Sequence, residues 1–586
     1  MSKRKSIRFT AFLLMLIMVS QAALTGCSDT KDPSTSKDGQ GEVDESEAVV
    51  LKVSEYGALG DGVTDDSEAV DTVFDMAKMK GQNDTPVVIE FEKDKSYYFK
   101  DMHGGKIIFD LVRCKNLTLR GDNTTIIMDK SGKLNQYFNS DFSENIVLEG
   151  FNFKYAQPWY TLSAVDAFHP GTPDAGAGGI NHVNETDPPY IDITTERSLE
   201  ITETYVPTNR TSFGMPYTEG MSRSHMYIDR IEVLDAAAQK YRVYFQDWDD
   251  IRTKMNFMEE YKLKFLFGIP YRDRGELSDG SGSIIVTNTK NFDMKDVNVW
   301  AATSFVFHMR NNYGEFNIKN CNVTTEPGED DVWASQVDIF HLKENRCKFT
   351  IEDCLLEKAN DDVFNLSTTY LYVDKIMSET EFNMFCREFE GNYYMPLEAG
   401  DTITLINEAT GAFVGRTRIK EVVEQSGATN HVIVEDPLEL NGYGTAVYVD
   451  SLGQPGSVIR NCTISGTYRF RTPLTIENCT LNTLYAWIDN IPAVEGPVPK
   501  DITFKNCVFK ALKAPDPKVC YMDPVYMMQL GTTCNIGSGV QPHYYAENIL
   551  FEDCDIDPNL IDFMGNTAYV SFKKDGKEYY SVKPEP

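Results

Sequence analysis

Three aspartates in the middle of the chain have the residue type and spacing for proton-transfer chemistry. They stand in Val337-Asp338-Ile339-Phe340-His341 and Ala359-Asn360-Asp361-Asp362-Val363, with Asp361 and Asp362 lying 23 and 24 residues after Asp338. If that interval returns the chain to one face, the three carboxylates share a site. Carboxylates placed together can give a proton to a leaving oxygen and take one from water, which is how a glycosidic bond is cleaved. Crowded carboxylates cannot all ionise without cost, so one of them keeps a proton to donate.

The neighbours sharpen the requirement. Adjacent residues of a straight strand face opposite ways, so Asp361 and Asp362 can serve one site only across a bend. The plainer reading of Asn360-Asp361-Asp362 is a structural bend like Glu352-Asp353. Rungs of a parallel sheet lie about 4.8 Å apart. Residues one turn apart and offset sideways would suit the roughly 6.5–9.5 Å that an inverting pair leaves for water. Trp333, five residues before Asp338, offers an aromatic face to a sugar ring or anchors its loop. His308 and Arg310 share strand parity about one turn earlier and could donate to hydroxyls or form an ion pair. His341 and Asn365, which follow the aspartates, are expected among the substrate-binding residues with His308, Arg310 and Trp333; for His341, parity opposite to Asp338 on a straight strand leaves the core or the far side as an alternative. No Gly-x-Ser-x-Gly supports a serine triad, and no CxxC or zinc spacing occurs, so neither a metal site nor a cofactor is expected.

The elements that must position these residues form a repeat. Its unit is apolar-x-apolar-x-Asn/Asp-Cys-x-apolar. It appears at Phe316–Val323, Phe349–Leu356, Leu474–Leu481, Ile502–Phe509 and Ile549–Ile556, and more loosely at Val458–Ile464. Alternate apolar residues make a short strand with one inward face. Asn or Asp tolerates the left-handed backbone of a tight bend. A single copy cannot bury its apolar face, so copies must stack. Short strands, bends and stacking give an all-β protein built on a right-handed parallel β-helix. The cysteines at the repeated offset act as small buried hydrophobes, so mostly free thiols are expected.

At the start, Val53 to Asp66 leads into Ala69, Val70, Val73, Phe74 and Ala77 at helical spacing. Thr64, Asp65 or Asp66 would cap this helix, which closes the solenoid's open end. Calcium-loop spacing is absent. Two stretches interrupt the repeat, 181–280 and 371–450, and read as inserted small β-barrels or meanders. The second opens with an expected helix around Glu379–Glu390. Solenoid thus occupies 51–180, 281–370 and 451–570, with a tail over 571–586.

The N-terminus reads as a leader. Lys3, Arg4, Lys5 and Arg8 precede an apolar run from Ala11 to Val19, then Leu24-Thr25-Gly26-Cys27. This resembles a bacterial lipobox with a signal over 1–26, lipidation at Cys27 and a polar tether over 27–50. The expectation is an exported protein held by lipid on the outer face of a bacterial membrane. A formal charge of −32 over 586 residues argues against nucleic acid as a partner, since phosphates need a basic face.

The start motif looks like the N-terminal cap of pectin-lyase-like β-helix proteins. The aspartate constellation, with two inserted barrels of which one follows Asp361-Asp362, is similar to glycoside hydrolase family 110, inverting exo-α-galactosidases acting on terminal α-1,3-linked galactose. The resemblance spans most of 51–570. It implies a galactoside glycan as substrate, with Asp361 protonating the leaving oxygen while Asp338 and Asp362 hold and deprotonate water. The chain departs from the family after the pair: Val363-Phe364-Asn365-Leu366-Ser367 stands where an Asn-Val-His-like run is usual. A polygalacturonase-like hydrolase remains an alternative. Its Arg-Ile-Lys occurs here as Arg418-Ile-Lys420, but within an insert strand. A calcium-dependent polysaccharide lyase and a non-catalytic glycan-binding solenoid also remain, and a homodimer is compatible with the sequence.

Overall fold

The computed structural model describes residues 48–584 apart from 82–83, 103–104, 130–133, 173–185, 200, 202, 207–212, 218–225, 247–250, 269–281, 330, 387–394, 408–412, 427, 441–443, 490–495, 513–525, 532–545 and 565–567. The leader, Cys27 and nearly all of the tether lie outside the described residues. The repeats form a right-handed parallel β-helix whose strands fall into three ladders. The first runs through Phe316↔Phe349 and Ile351↔Ile459↔Ile476↔Phe504↔Phe551. The second is shorter per rung, as in Val299↔Val323↔Leu356↔Ile464↔Leu481. The third carries the site. Inward side chains of all three merge into one core, in which Phe340 stacks on Phe364 at 5.0 Å between ring centroids and Phe551 on Phe572 at 4.6 Å.

The bend between the first and second ladders explains the repeated Asn/Asp. Asn320, Asp353, Asn461, Asn478, Asn506 and Asp553 all take the left-handed conformation, with φ between 51° and 58°. These two residue types pay least for it. The cysteine that follows each points inward, and the nine described cysteines are all free, eight of them buried. Burial pushes the Cys321 thiol up to about 12. A further asparagine row braces the second ladder: Asn152, Asn298 and Asn322 each donate to the asparagine one rung below, at 3.0, 2.7 and 3.0 Å. The helix Ser67–Gly81 packs Val70, Val73, Phe74 and Ala77 onto the first turn. Asp65 caps it, accepting from the Ser67 backbone N–H at 3.1 Å. The Asp61 carboxylate is taken up by the N–H groups of Val63 and Thr64, a local turn.

Both interruptions are closed six-stranded antiparallel barrels. The first runs from strand Tyr160–His169 to strand Lys264–Gly268, so it begins ahead of residue 181. The second runs from Leu371–Ser378 to Thr445–Val449. The helix expected around Glu379–Glu390 is instead strand Glu381–Cys386, with Phe382, Met384 and Cys386 buried at period two; residues 387–390 lie outside the described residues. Arg418 and Lys420 stand in the barrel strand Phe413–Ser426. At the far end, Ala568–Lys574 adds a parallel rung and Lys577–Val582 folds back antiparallel on it. The residues expected as a tail therefore close the sheet, which covers an otherwise bare edge.

The second barrel is locked to the solenoid by Arg346, whose guanidinium grips Asp401 at 2.6 and 2.7 Å and donates to the Pro396 carbonyl. Burial pushes the Asp401 carboxyl up, but the Arg346 and Ser451 hydrogen bonds outweigh it and hold the group below its ordinary range. Breaking such a buried pair costs about 3–5 kcal/mol, so Arg346→Ala should destabilise the protein by that amount in urea unfolding. A depressed folded-state value gives stability that is full above the unfolded value of about 3.9 and is lost as pH falls through the lower folded value. The deficit of Arg346→Ala should therefore narrow as the unfolding is repeated below about pH 4.

Candidate active site

The third ladder stacks Phe305–Arg310, Phe340–Lys343, Asp362–Ser367 and the end of Thr463–Phe470 in register. Its inward row is Phe307↔Phe340↔Phe364↔Tyr468. Its outward row is His308↔His341↔Asn365↔Arg469, continuing to Trp487. The barrels leave the chain at opposite ends of this ladder. One returns into strand Gly282–Thr287 and the other departs after Ser367.

Asp338 and Asp361 lie just before their strands, where parallel pairing persists through the bridges Ala302↔Ser335 and Ser335↔Ala359. Asn360 donates from its backbone to the Ser335 carbonyl at 2.9 Å and from its side chain to Gln336 at 3.2 Å. These bonds fix the bend that the adjacent aspartates require. A register shift between Asp362 and Phe364 adds one residue to this strand. Gly466 opposite leaves room for Val363, since a Cβ there would stand 2.9 Å from it. The three carboxylates consequently converge, each offering an oxygen within 4.8 Å of the others. Asp338 Oδ1 also accepts from the Asp362 N–H at 3.3 Å, which ties the two rungs together at the cluster.

Each carboxylate has a distinct environment. Asp338 is buried and its Oδ2 lies 2.7 Å from His341 Nδ1. Asp362 is buried, 2.6 Å from the guanidinium of Arg469, and accepts from the Thr467 hydroxyl at 2.9 Å. Asp361 is half-buried, the most open of the three. His341 thus shares the site with Asp338 instead of turning away. Straight-strand parity fails because the strand starts only at Phe340. Around His341 lie Phe305, with ring centroids 4.1 Å apart, and His308 at 5.3 Å, edge-on. Asn365 accepts from the Ser367 hydroxyl at 2.9 Å.

Arg310 is paired with Glu344 at 2.8 Å, both buried. Glu344 also accepts from the Thr369 N–H at 2.6 Å, tying the pair to the entry of the second barrel. Trp333 is a loop anchor: it stacks on Trp159 at 5.8 Å, tilts against Tyr160, and belongs to the main core. The Tyr160 hydroxyl accepts from the N–H groups of Val332 and Trp333, and Arg197 of the first barrel pairs with Asp331 at 3.1 Å. The first barrel therefore grips the loop leading to Asp338.

Arg469, Thr467 and Glu344 were not singled out from the sequence. Counting from the repeat's cysteine does not find Arg469 either: it stands seven residues after Cys462, whereas its register partner Asn365 stands eleven after Cys354, and a whole barrel separates the two strands.

Chemically, the site offers oxygen ligands and proton carriers together. Three carboxylate oxygens this close could hold a hard cation such as Ca²⁺. Arg469, and His341 when protonated, already supply positive charge to two of them.

No family model matches the chain, and no curated protein matches it in sequence. Among solved structures, the A-module of the mannuronan C-5 epimerase AlgE4 from Azotobacter vinelandii is 9% identical, covering 89% of this chain and 94% of its own, with a TM-score of 0.35. A hyperthermoactive exopolygalacturonase from Thermotoga maritima is 11% identical, covering 91% and 93%, with a TM-score of 0.34. PfbA, a surface adhesin of Streptococcus pneumoniae, is 9% identical, covering 90% and 91%, with a TM-score of 0.25. Scores this low fix neither fold nor reaction; the fold rests on the parallel ladders themselves.

If Trp333 holds the barrel to the solenoid, Trp333→Ala removes a buried aromatic and should lower the unfolding free energy by about 3–5 kcal/mol. Thermal and urea unfolding measure this directly.

Proposed function

We propose that this chain is an extracytoplasmic exo-glycosidase that releases terminal α-linked galactose, α-1,3-linked in the first place, with inversion. The observation that carries the hydrolase reading is the convergence of Asp338, Asp361 and Asp362 with unequal partners. Asp362, held by Arg469 and Thr467, is favoured as the ionised form and suits the base. Asp338, oriented by His341, suits the second acceptor for the attacking water. Asp361, the most open carboxyl, suits the acid that protonates the leaving oxygen. Galactose and inversion come from the family resemblance.

One observation favours a second reading of the stereochemistry. Carboxylates whose nearest oxygens lie within 4.8 Å of one another can also serve as a retaining pair, whose carboxyl groups stand roughly 5–5.5 Å apart. In that reading one aspartate attacks the anomeric carbon and forms a glycosyl-enzyme, which water then hydrolyses.

Asp338→Asn, Asp361→Asn and Asp362→Asn should each lower kcat on α-galactosyl substrates by about 10²–10⁴-fold, with circular dichroism unchanged. Full activity in the Asp338 and Asp361 variants would sink the assignment. NMR of the first-formed sugar separates the stereochemical readings: β-galactose first means inversion, α-galactose first means retention. Activity should survive a chelator. Its loss, together with an unsaturated product, would point to a cation-dependent lyase at the same aspartates.

The lipobox-like Leu24-Thr25-Gly26-Cys27 supports placing the enzyme on the outer face of a bacterial membrane. Cys27→Ser should move the protein from the membrane fraction to the soluble one. An unchanged membrane fraction would remove the lipid anchor from this account.

A further inference from the structure

Trp487 and Tyr485 stand outside the solenoid core, Tyr485 buried and Trp487 half-buried. On strand Thr480–Ile488, Ala486 and Ile488 point into the solenoid core, whereas Tyr485 and Trp487 face outward and form a separate small cluster with Leu484. Their rings lie 4.8 Å apart, tilted by 58°. Trp487 continues the outward row one rung beyond Arg469. It is half-buried, whereas His308, His341, Asn365 and Arg469 in the same row are buried. Arg469 joins Trp487 to the carboxylates: its guanidinium reaches Asp362 at 2.6 Å and lies over one face of the Trp487 ring, 4.7 Å from its centre. The aromatic surface thus adjoins the acidic cluster through a single side chain.

We propose that Trp487, supported by Tyr485, is a sugar-binding subsite that takes the apolar face of a pyranose ring of the substrate. It fills the part that the sequence offered to Trp333, whose ring is committed to Trp159. The C–H face of a pyranose is apolar while its hydroxyls are polar. An aromatic surface next to charged donors and acceptors matches both. The proposal rests on the glycosidase reading of the neighbouring aspartates.

Two measurements test it. In steady-state hydrolysis of α-galactosyl oligosaccharides, Trp487→Ala should raise KM about tenfold with a smaller loss of kcat, and Trp487→Phe should recover most of the difference. In the Asp361→Asn background, calorimetric titration with methyl α-galactopyranoside should show binding that the added Trp487→Ala weakens by a similar factor. Circular dichroism and unfolding confirm that the variants fold. A wild type that hydrolyses the substrate, with an unchanged KM in Trp487→Ala, overturns the subsite alone. So does an altered pH profile at constant KM, which would reduce Trp487 to holding Arg469 in place. A wild type that neither binds nor cleaves any glycoside of a broad panel overturns the glycosidase reading and the subsite together.

Discussion

Parallel pairing from rung to rung decides which side chains meet in this molecule, and it can continue only if each bend turns the chain by the same amount. Asn and Asp at φ near 55° supply that turn between the first and second ladders. Once the bends repeat, a residue's neighbours are set by its offset within the turn. Phenylalanines then stack on phenylalanines, thiols lie over thiols, and asparagine amides bond the asparagine below. A slip of one residue would exchange the inward and outward rows of a strand. On the third ladder it would bury His341, Asn365 and Arg469 in the core and expose the phenylalanines.

The same register concentrates charge where it is costly. Asp338, Asp362, Glu344, Arg310 and Arg469 are all buried on or beside one sheet. Buried charges persist only when paired and hydrogen-bonded. Arg469 answers Asp362, Arg310 answers Glu344, and His341 contacts Asp338. The two arginine–carboxylate pairs join neighbouring rungs, while His341 reaches Asp338 three residues back in its own rung, so the solenoid's pairing sets much of the electrostatics. One of the register irregularities, the extra residue at Val363 facing Gly466, falls beside the carboxylates, where bulges commonly re-aim a side chain.

Much of this was legible in the chain itself. Period-two strands ending in Asn/Asp-Cys announce a stacked β-helix, and the 24-residue interval places Asp338 below Asp362, with Asp361 beside it. What failed did so for local reasons. Parity leaves His341 an alternative away from the site, but Asp338 precedes the strand, where parity has no meaning. For Trp333 the sequence leaves sugar platform and loop anchor open, because proximity to Asp338 hides Trp159, which is 174 residues away in the chain and stacked on it. The helix expected around Glu379 came from polar, helix-compatible composition, which barrel pairing overrode. Arg469 escaped because spacing arguments stop at an insertion.

Continuity across the two barrels has its own consequence. Phe138 pairs directly with Ile284, and Thr350 with Val458, so the rungs before and after each barrel are immediate neighbours. The solenoid treats a whole barrel as one long turn, and the entropy of closing a turn rises only slowly with its length. Each barrel is thus an insertion between rungs that already pair, held to the solenoid by contacts such as Arg346 with Asp401 and Trp333 with Trp159. The aspartate cluster and the barrels beside it are therefore separable in inheritance. A lineage could keep the third ladder and change what is spliced beside it.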